Sequence, residues 1–527
     1  MRTSCLLLLC MFLGLTLVAQ DGSIAGRLLD AQTQEPIPFA TVRIKNYALG
    51  VISNMDGSFR VPERFNGYGD VLVISSMGYR TMEIRISELS PGKINIIGLK
   101  SGIISLQEAV VSAKKRRPLS ARQIVRRAIR AIPNNYPTND YSIVGYYRDY
   151  QFDQEKYVNL NEAILEVFDT GFDDVDSVTT RVGLYRYEPN NKFGRDTLAD
   201  GPYNYQSKQK IIDDAYLYGY GGNEFTILRV HDAIRNYKIN SFDFINTLES
   251  DLLKNHSFQI VGDTYLDTEQ LFTIKFKKVH PSYSAVGTLY ISKFDYAIHK
   301  MAYAVYHDRE RQPDSNKNNK GANDPLIFEI TTEYKRQAGK MYLNYISLHN
   351  TFLLREPPKF IFENFTVVFS NRCFYVYFNN QPKGAEALSY GNYDIRFKGK
   401  KLRFERIKVT KNSVLLYPDM DPVKAGAMFM EMAILAFKEK LDATVLTAKV
   451  KNIKDVSGNV VDQPTEKGYN QFREFFAQQI IPNKAVPIGA PLMKMNRPIF
   501  KDQPLMTSEN MADYWMNTPL QNIEQPQ

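Results

Sequence analysis

The residues of this chain that could do metal chemistry are a small number of histidines and the acidic residues near them. His307 and Glu310 have the His-x-x-Glu spacing with which two side chains can ligate zinc. An open hydrolytic zinc site needs three protein ligands and a water molecule. No two histidines have the i, i+4 spacing of a pair on one helix face. We therefore predict no metal site and keep a metal-dependent hydrolase as a second alternative function. The histidines are His231, His256, His280, His299, His307 and His349.

Nucleophilic chemistry has no complete motif in the sequence. The chain lacks the Gly-x-Ser-x-Gly elbow of the α/β-hydrolases. Ser112 and Ser207 each begin a Ser-x-x-Lys pattern, but the companion motifs of the penicillin-binding enzymes are missing. Cys373 lies in the apolar stretch "NRCFYVYF", where a thiol is typical of packing and not of catalysis. We predict no catalytic residue, no cofactor-binding residue and no cofactor.

A run of cations surrounds one predicted amphipathic helix. Ser120 and Gln123 have the spacing of a capping box, and Pro133 is expected to end the helix. The cations can bind an anion or a membrane surface, and they can equally form the solvated face of a packed helix. Nucleic acid is not expected, because aromatic residues do not interleave with this run. The cations are Lys114, Lys115, Arg116, Arg117, Arg122, Arg126, Arg127 and Arg130.

Residues 1–20 have the composition of a secretory signal peptide. Arg2 precedes an apolar run that is too short to span a bilayer permanently, and Val18-Ala19-Gln20 ends it. We expect the mature chain to begin near Gln20 or Asp21 and to be exported to the periplasm or the outer membrane. Cys373 is the only cysteine beyond this segment, so no internal disulfide is expected and stability must come from burial.

From Gly22 to about Leu99 the chain consists of short alternating runs separated by turn residues. This pattern predicts a β-sandwich. The segment "GVISNMDGSFRVP" at 50–62 is the best-specified reversal, since Asp56 and Gly57 favour a tight turn between two apolar strands. We expect a β-hairpin there.

Four ordered motifs in this region resemble the carboxypeptidase-regulatory-like domain. They are Gly26–Asp30, Pro36–Val42, Ile52–Phe59 and Ser75–Tyr79. The resemblance implies a transthyretin-like β-sandwich of the Gram-negative cell envelope. Zinc carboxypeptidases themselves place a third histidine after an Asn-Arg pair, whereas here His349 precedes Asn371 and Arg372. The resemblance therefore does not imply peptidase activity.

The stretch "IVRRAIRAIPNNYPTNDYSIVGYYRDY" resembles the periplasmic part of an uncharacterised outer-membrane protein family. We expect this chain to lack that family's barrel, because it ends in "QNIEQPQ". The hairpin "GTLYISKFDYAIHKMAY" resembles, over about twenty residues, the open half-barrel of lipoprotein carriers. That second resemblance implies a concave apolar surface for an acyl chain, and a packed core is the other interpretation.

The remaining chain is rich in alternating runs of tyrosine and phenylalanine from Tyr141 to about Tyr377. Connections between them are too short for crossover helices, so we predict a large, curved antiparallel sheet with a few covering helices. Beyond it, 423–441 and Gly468–Ile480 are predicted helices, and Ala425–Phe437 is expected to be buried. The predicted organisation is a signal peptide (1–20), a β-sandwich (21–100), a linker with the basic helix (101–140), a β-rich domain (141–400) and a mixed α/β region with an extended tail (401–527).

These features predict a mainly β, non-enzymatic envelope protein. Its sandwich and its aromatic sheet would bind a protein or glycan partner, and contact with the outer-membrane surface is compatible with the basic helix. A periplasmic lipid or lipoprotein carrier is the alternative.

Overall fold

The computed structural model forms two compact units, Met1–Phe352 with Gly468–Gln527, and Leu353–Lys467. Residues 1–21, 103–117 and 308–325, which include the predicted signal peptide and the first part of the predicted linker, lie outside the described residues. The structure describes residues 22–45, 49–68, 70–102, 118–153, 156–176, 181–201, 210–211, 220–239, 252–266, 269–281, 283–307, 326–507 and 513–520.

The N-terminal part of the first unit is the predicted β-sandwich. Its two sheets have the orders β4-β1-β7 and β3-β2-β5-β6, and the paired strands are antiparallel except β1 with β7. Apolar side chains from both sheets, such as Leu28, Val42 and Phe59, are buried between them. The strands are β1 (Ser23–Asp30), β2 (Thr41–Ile44), β3 (Gly50–Ile52), β4 (Ser58–Pro62), β5 (Val71–Ser75), β6 (Met82–Arg85) and β7 (Ile94–Leu99).

The expected hairpin at 50–62 is wrong in its pairing. β3 pairs with β2 in one sheet, and β4 pairs with β1 in the other, so the turn is a corner between two layers. The turn itself forms as expected: Gly57 donates its N–H to the Asn54 carbonyl over 2.9 Å and has a φ of +74°. Turn residues predict where the chain reverses direction. They do not determine which strands pair, because pairing depends on which faces become buried.

The basic helix is α1 (Ala121–Asn135). The predicted capping box between Ser120 and Gln123 is confirmed, and the buried stripe includes Ile124, Val125 and Ala128. Pro133 lies inside the last turn and does not end the helix, which continues to Asn135. The helix ends instead at Tyr136, which has an extended backbone conformation.

The rest of the first unit is built on long antiparallel strands. They are β8 (Tyr141–Asp153), β9 (Lys156–Asp169), β10 (Arg181–Pro189), β11 (Lys210–Ile211), β12 (Ser257–Leu266), β13 (Glu269–Val279), β14 (Tyr283–Ser292), β15 (Ile298–His307), β16 (Leu326–Gln337) and β17 (Lys340–Glu356). Three described helices lie between them: α2 (Thr197–Asp200), α3 (Glu224–Val230) and α4 (Leu252–Asn255).

The second unit contains two smaller sheets and one long helix. The sheets have the orders β18-β19-β23-β22 and β21-β20-β24. The elements are β18 (Phe362–Val368), β19 (Cys373–Phe378), α5 (Gly384–Ala387), β20 (Tyr393–Phe397), β21 (Lys400–Lys401), β22 (Phe404–Thr410), β23 (Ser413–Pro418), α6 (Pro422–Phe437) and β24 (Leu446–Val450).

The expected burial of Ala425–Phe437 is correct for one face of α6 only. Ala425, Phe429 and Met432 are buried, and the Phe429 ring lies 5.4 Å from that of Phe374 on β19. The opposite face is exposed, and Phe437 is among its most exposed side chains. Mean apolarity of the segment could not distinguish these two faces, since both are apolar.

The chain returns to the large sheet through β25 (Thr465–Pro482), where the sequence predicted a helix. β25 lies in the middle of the order β10-β9-β8-β25-β17-β16-β15-β14-β13-β12, with β11 beside β17. Asn470–Pro482 pair with Tyr141–Phe152 of β8, more than three hundred residues earlier. Such a non-local pairing overrides the local helical pattern, because it buries both faces of the strand.

The centre of this large sheet is covered on both faces. On one face Tyr146, Tyr345 and Phe476 pack with Ile52 of the sandwich, and Phe39 stacks on Tyr345 at 5.3 Å. On the other face Tyr147 and Phe475 make edge contacts with the ring of Phe225 on α3. The fold is therefore mainly β, as the fold-class prediction stated. Within the first unit the sandwich and the large sheet also pack together.

A candidate binding groove and a buried polar layer

A groove of about 770 Å³ crosses strands β12 to β16. We call it the β12–β16 groove. Lining residues that are paired across the strands form two rows, and both rows lie on the same face of the sheet. One row is Gln259, Lys275, Thr288, Ala302 and Thr331. The other row is Ser257, Lys277, Val286, Ala304 and Glu329.

The floor of the groove is low at its centre because the side chains there are small. Thr288 lies on β14, and Ala302 and Ala304 lie on β15, whereas longer polar side chains lie on the flanking strands β12, β13 and β16. Neighbouring strands are about 4.8 Å apart, so the groove extends roughly 14 Å from β13 to β16. This is room for a few sugar rings or a short extended peptide.

The two ends of the groove differ in charge. Lys275 and Lys277 lie on β13, are exposed, and form no ion pair with any described residue. At the β16 end, Glu329 Oε1 lies 3.2 Å from His349 Nδ1, and the His349 ring stacks on Phe472 at 4.1 Å. The groove thus offers cations at one end, a carboxylate at the other, and hydroxyl and amide groups nearby.

The row between these two rows directs its side chains to the other face of the sheet. Phe276 and Tyr303 are buried there and stack with their ring centroids 5.7 Å apart. The Phe276 ring occupies the space that a side chain at Gly287 would need. In these strands the aromatic side chains pack against one another, as in the packed-core interpretation of the sequence.

The interface between the sandwich and the sheet contains a buried ion pair. Arg148 on β8 donates from Nε to the carboxylate of Glu474, its cross-strand partner on β25, and both side chains are fully buried. Arg148 Nη1 also donates to Oδ1 of Asn54, the first residue of the corner turn. A buried charge pair is tolerated only when further hydrogen bonds satisfy it, and Asn54 supplies one of them.

The C-terminal segment closes the same interface. Asn517 is fully buried; its Oδ1 accepts from Arg60 N over 2.8 Å and its Nδ2 donates to the Ile52 carbonyl over 2.8 Å. Trp515 Nε1 donates to the Arg60 carbonyl over 2.8 Å. These side chains satisfy the outer backbone groups of Arg60 on the edge strand β4, as a neighbouring strand would.

The next cross-strand pair is Asp149 with Arg473, in which the acidic residue lies on β8 and the basic residue on β25. Its side chains lie on the opposite face of the large sheet. Burial, together with the nearby carboxylate of Glu224, raises the pKa of Asp149 to about 7. Its two oxygens accept from Tyr147 Oη and Asn161 Nδ2, each over 2.9 Å. This layer is buried among protein groups.

Two other buried groups of this region have altered pKa values. Burial lowers the pKa of Lys210 to about 8, and the Lys210 ammonium lies 4.8 Å from the Phe352 ring centroid. Burial also lowers the pKa of His231 to about 4, and His231 Nδ1 lies 2.5 Å from the Ile227 carbonyl. His231 is therefore a neutral core residue at physiological pH.

The predicted cationic patch is only partly described. Lys114, Lys115, Arg116 and Arg117 lie outside the described residues, while Arg126 and Arg130 are exposed on α1. Arg122 donates to the Leu253 carbonyl, and Arg127 donates to Tyr296 Oη over 2.8 Å. Two of the four described arginines are thus engaged with the protein, and the patch stays a prediction.

The residues considered for catalysis are not brought together. Glu310 of the His-x-x-Glu pattern lies outside the described residues, and Cys373 is buried in β19. Among the described residues, no group of three or more His, Cys, Asp or Glu side chains has the arrangement of a metal site. In the described part of the chain no helix has the length and apolar composition needed to cross a membrane.

Sequence reasoning did not identify the groove or the buried ion pairs. For the groove, a signal was present: in "QLFTIKFKKV" lysines alternate with apolar residues, which indicates one exposed face. For Arg148 and Glu474 no local signal exists, because the two residues lie 326 positions apart.

Comparison with known proteins identifies the N-terminal module. The family model of the CarboxypepD_reg-like domain matches residues 24–111. Over 100 residues the chain is 32% identical to the TonB-dependent receptor SusC of Bacteroides thetaiotaomicron. That match covers 19% of this chain and 9% of the receptor, so the chain spans only a small part of its curated relative. The N-terminal module is a CarboxypepD_reg-like domain, as the sequence motifs predicted.

Solved structures of low similarity were also found. A LolA superfamily protein from Nitrosomonas europaea is 10% identical, with 44% of this chain and 86% of that chain covered and a TM-score of 0.19. A putative outer membrane lipoprotein-sorting protein domain from Vibrio parahaemolyticus is 12% identical, with 44% and 85% covered and a TM-score of 0.19. TM-scores of this size do not establish a common fold.

Proposed function

We propose that this protein is a non-enzymatic binding protein of the cell envelope that holds a polar partner, a glycan or an extended protein segment, in the β12–β16 groove. The observation that carries the proposal is the groove itself. Its volume of about 770 Å³ is within the range of ligand sites in proteins. Its lining includes hydroxyl, amide and charged side chains around small ones, and it also includes Phe258, Phe276, Tyr303 and Ile330 of the row between them.

The envelope location is supported by sequence. Residues 1–20 have the composition of an export signal, and the CarboxypepD_reg-like module has a relative in an outer-membrane receptor sequence. In this proposal the sandwich supports the sheet through Asn54, Arg148 and the C-terminal segment. The sheet then presents its outer strands to the partner.

The chemistry of the groove favours a polar ligand over an acyl chain. Lys275, Lys277 and Gln259 can donate hydrogen bonds to carboxylate, hydroxyl or carbonyl oxygens. The apolar surface that a lipid would need is the opposite face, where Phe276 and Tyr303 are buried. This packing supports the polar-partner function over the lipid-carrier alternative.

The test fills the groove without changing the core. Ala302→Gln with Ala304→Gln places two longer side chains on the groove floor, and Val279→Gln changes an exposed residue of β13 outside the lining. Glycan and peptide arrays are probed with each protein, and binding of each hit is measured by titration calorimetry. We expect a hit whose affinity falls at least about tenfold in the double variant and is unchanged in Val279→Gln.

Two results would contradict the proposal. One is binding that is equal in the double variant and the wild-type protein. The other is a stoichiometric acyl lipid extracted from the purified protein and identified by mass spectrometry.

A further inference from the structure

The exposed face of α6 has an apolar stripe. Val423, Ala427, Met430, Ile434 and Phe437 follow one another at intervals of four, three, four and three residues, which places them on one side of the helix. Val423 is 79% exposed, Met430 64%, Ile434 48% and Phe437 90%. Scattered exposed apolar residues are ordinary, but a contiguous stripe marks a contact surface.

The stripe is not a consequence of a loosely attached helix. Asp421 caps α6 by accepting from Val423 N and Lys424 N over 3.0 and 3.2 Å. The inner face is buried through Phe429 and Met432. The helix is therefore held on its own unit by one apolar face while it directs a second one outward.

Cations surround the stripe. Lys424, Lys438 and Lys440 are exposed near the two ends of the helix, and none of them forms an ion pair with a described residue. Of the nearby acidic residues, Glu431 is paired with Lys398, and Asp421 caps the helix. Glu439 lies just beyond the helix, and Asp442 accepts hydrogen bonds from Thr444. Over residues 353–467 as a whole, nineteen Lys and Arg residues stand against thirteen Asp and Glu residues, a formal charge of +6.

We propose that α6 lies on an anionic lipid surface, with Val423, Met430, Ile434 and Phe437 inserted between headgroups and the flanking lysines at the phosphate level. Interfacial helices bind by this combination of buried apolar area and electrostatic attraction. A helix of 16 residues is too short to span a bilayer, but it is long enough to lie along one.

A helix from a second copy is the competing occupant, because the four-three spacing is also that of a coiled-coil seam. Stable coiled coils sustain this pattern over at least about three heptads, whereas α6 provides about two. The lysines at both ends would also face their own copies in a symmetric antiparallel or parallel pair. Charge therefore favours an anionic lipid surface over self-association.

The test is sedimentation of the purified full chain with vesicles. Binding is measured on phosphatidylglycerol and phosphatidylethanolamine in about equal parts, and on phosphatidylcholine alone. We expect binding to the anionic vesicles, and a partition coefficient reduced by more than about tenfold in Met430→Gln with Phe437→Gln. Phe294→Gln is the matched control, since Phe294 is 88% exposed in the other unit and should leave binding unchanged.

A second set of variants tests the charge. Lys424→Gln, Lys438→Gln and Lys440→Gln together should weaken binding to anionic vesicles, and an ionic strength of about 1 M should do the same in the wild-type protein. Light scattering after size exclusion gives the oligomeric state, and urea unfolding verifies that the variants remain folded.

Three outcomes would overturn the proposal. The first is no vesicle binding by the wild-type chain. The second is binding that Met430→Gln with Phe437→Gln leaves unchanged. The third is a wild-type dimer that the same double variant converts to monomer, which would assign the stripe to a second copy of the chain.

Discussion

Arg148 donates a hydrogen bond to Asn54 and thereby joins the corner turn of the sandwich to the centre of the large sheet. The same guanidinium is paired with Glu474, and all three residues are fully buried. Asn54 has two roles: its carbonyl closes the turn to Gly57, and its amide oxygen accepts a hydrogen bond from the buried guanidinium of Arg148. The turn that the sequence specifies best therefore also forms part of the contact between the sandwich and the large sheet.

Removing the buried cation should destabilise the protein strongly. In Arg148→Met, Glu474 and Asn54 lose their partner in a fully buried site, so we expect the free energy of unfolding to fall by about 3–5 kcal/mol. Urea unfolding of the full chain measures this. The matched control is Arg186→Met, which breaks an exposed ion pair with Glu188 and should cost at most about 1 kcal/mol.

A second substitution distinguishes loss of packing from an unpaired charge. Arg148→Met with Glu474→Gln removes both charges, so part of the lost stability should return. Equal stability losses in Arg148→Met and Arg186→Met would show that the buried pair does not hold the interface.

The C-terminal segment should report directly on the same interface. Asn517→Ala removes two hydrogen bonds to Arg60 and Ile52, and we expect a loss of about 1–3 kcal/mol. Trp515 is the only tryptophan, and its ring lies 5.7 Å from Phe65 of the sandwich. Its fluorescence should shift to the red in Asn517→Ala and stay unchanged in Lys501→Ala, an exposed position. An unshifted spectrum with unchanged stability would contradict this role.

Local patterns were sufficient for the sandwich and the fold class. Alternating residues between Gly22 and Leu99 predicted the short strands of the sandwich, and Ser120 with Gln123 predicted the start of α1. These predictions hold because each depends on residues that are neighbours in sequence. The four motifs that indicated the CarboxypepD_reg-like domain are of the same kind.

The sequence did not predict pairing between residues that are far apart along the chain. β25 was predicted as a helix because its apolar residues also fit a helical period, and only its position between β8 and β17 makes it a strand. The groove and the Arg148–Glu474 pair depend on that register and could not be predicted. For α6, the residue types predicted the helix but not which of two apolar faces would be covered.

Asp169 provides a prediction for acidic pH. Although burial opposes ionisation, the hydrogen bond and charge of Arg235, with Arg229, lower the pKa of Asp169 below its usual value. A lowered carboxyl pKa contributes stability above about pH 4, and this contribution is lost as the pH falls below that value. Asp169→Asn leaves the buried Arg235 without its carboxylate, whereas Arg229 keeps Asp176, and the substitution should cost about 3–5 kcal/mol at neutral pH. A loss below about 1 kcal/mol in urea unfolding would contradict it.

Asp149 should have the opposite pH dependence. Its pKa is raised to about 7 in the folded protein, so the native state prefers the protonated carboxyl. The contribution of Asp149 is fully present below about pH 4 and is lost as the pH rises to about 7, with a slope of at most about 1.4 kcal/mol per pH unit. Asp149→Asn removes this loss. The stability of Asp149→Asn relative to the wild-type protein should therefore rise between about pH 4 and pH 7.

Differences between variants isolate this effect from other titrations. The lowered pKa of His231, about 4, adds stability as the pH rises to about 6.5 in both proteins, and it cancels when they are compared. Asp169→Asn is the matched control, because its difference from the wild-type protein should be flat between about pH 5 and pH 7. Urea unfolding at several pH values gives both differences. A flat difference for Asp149→Asn over this range would mean that Asp149 stays ionised in the folded protein beside Arg473.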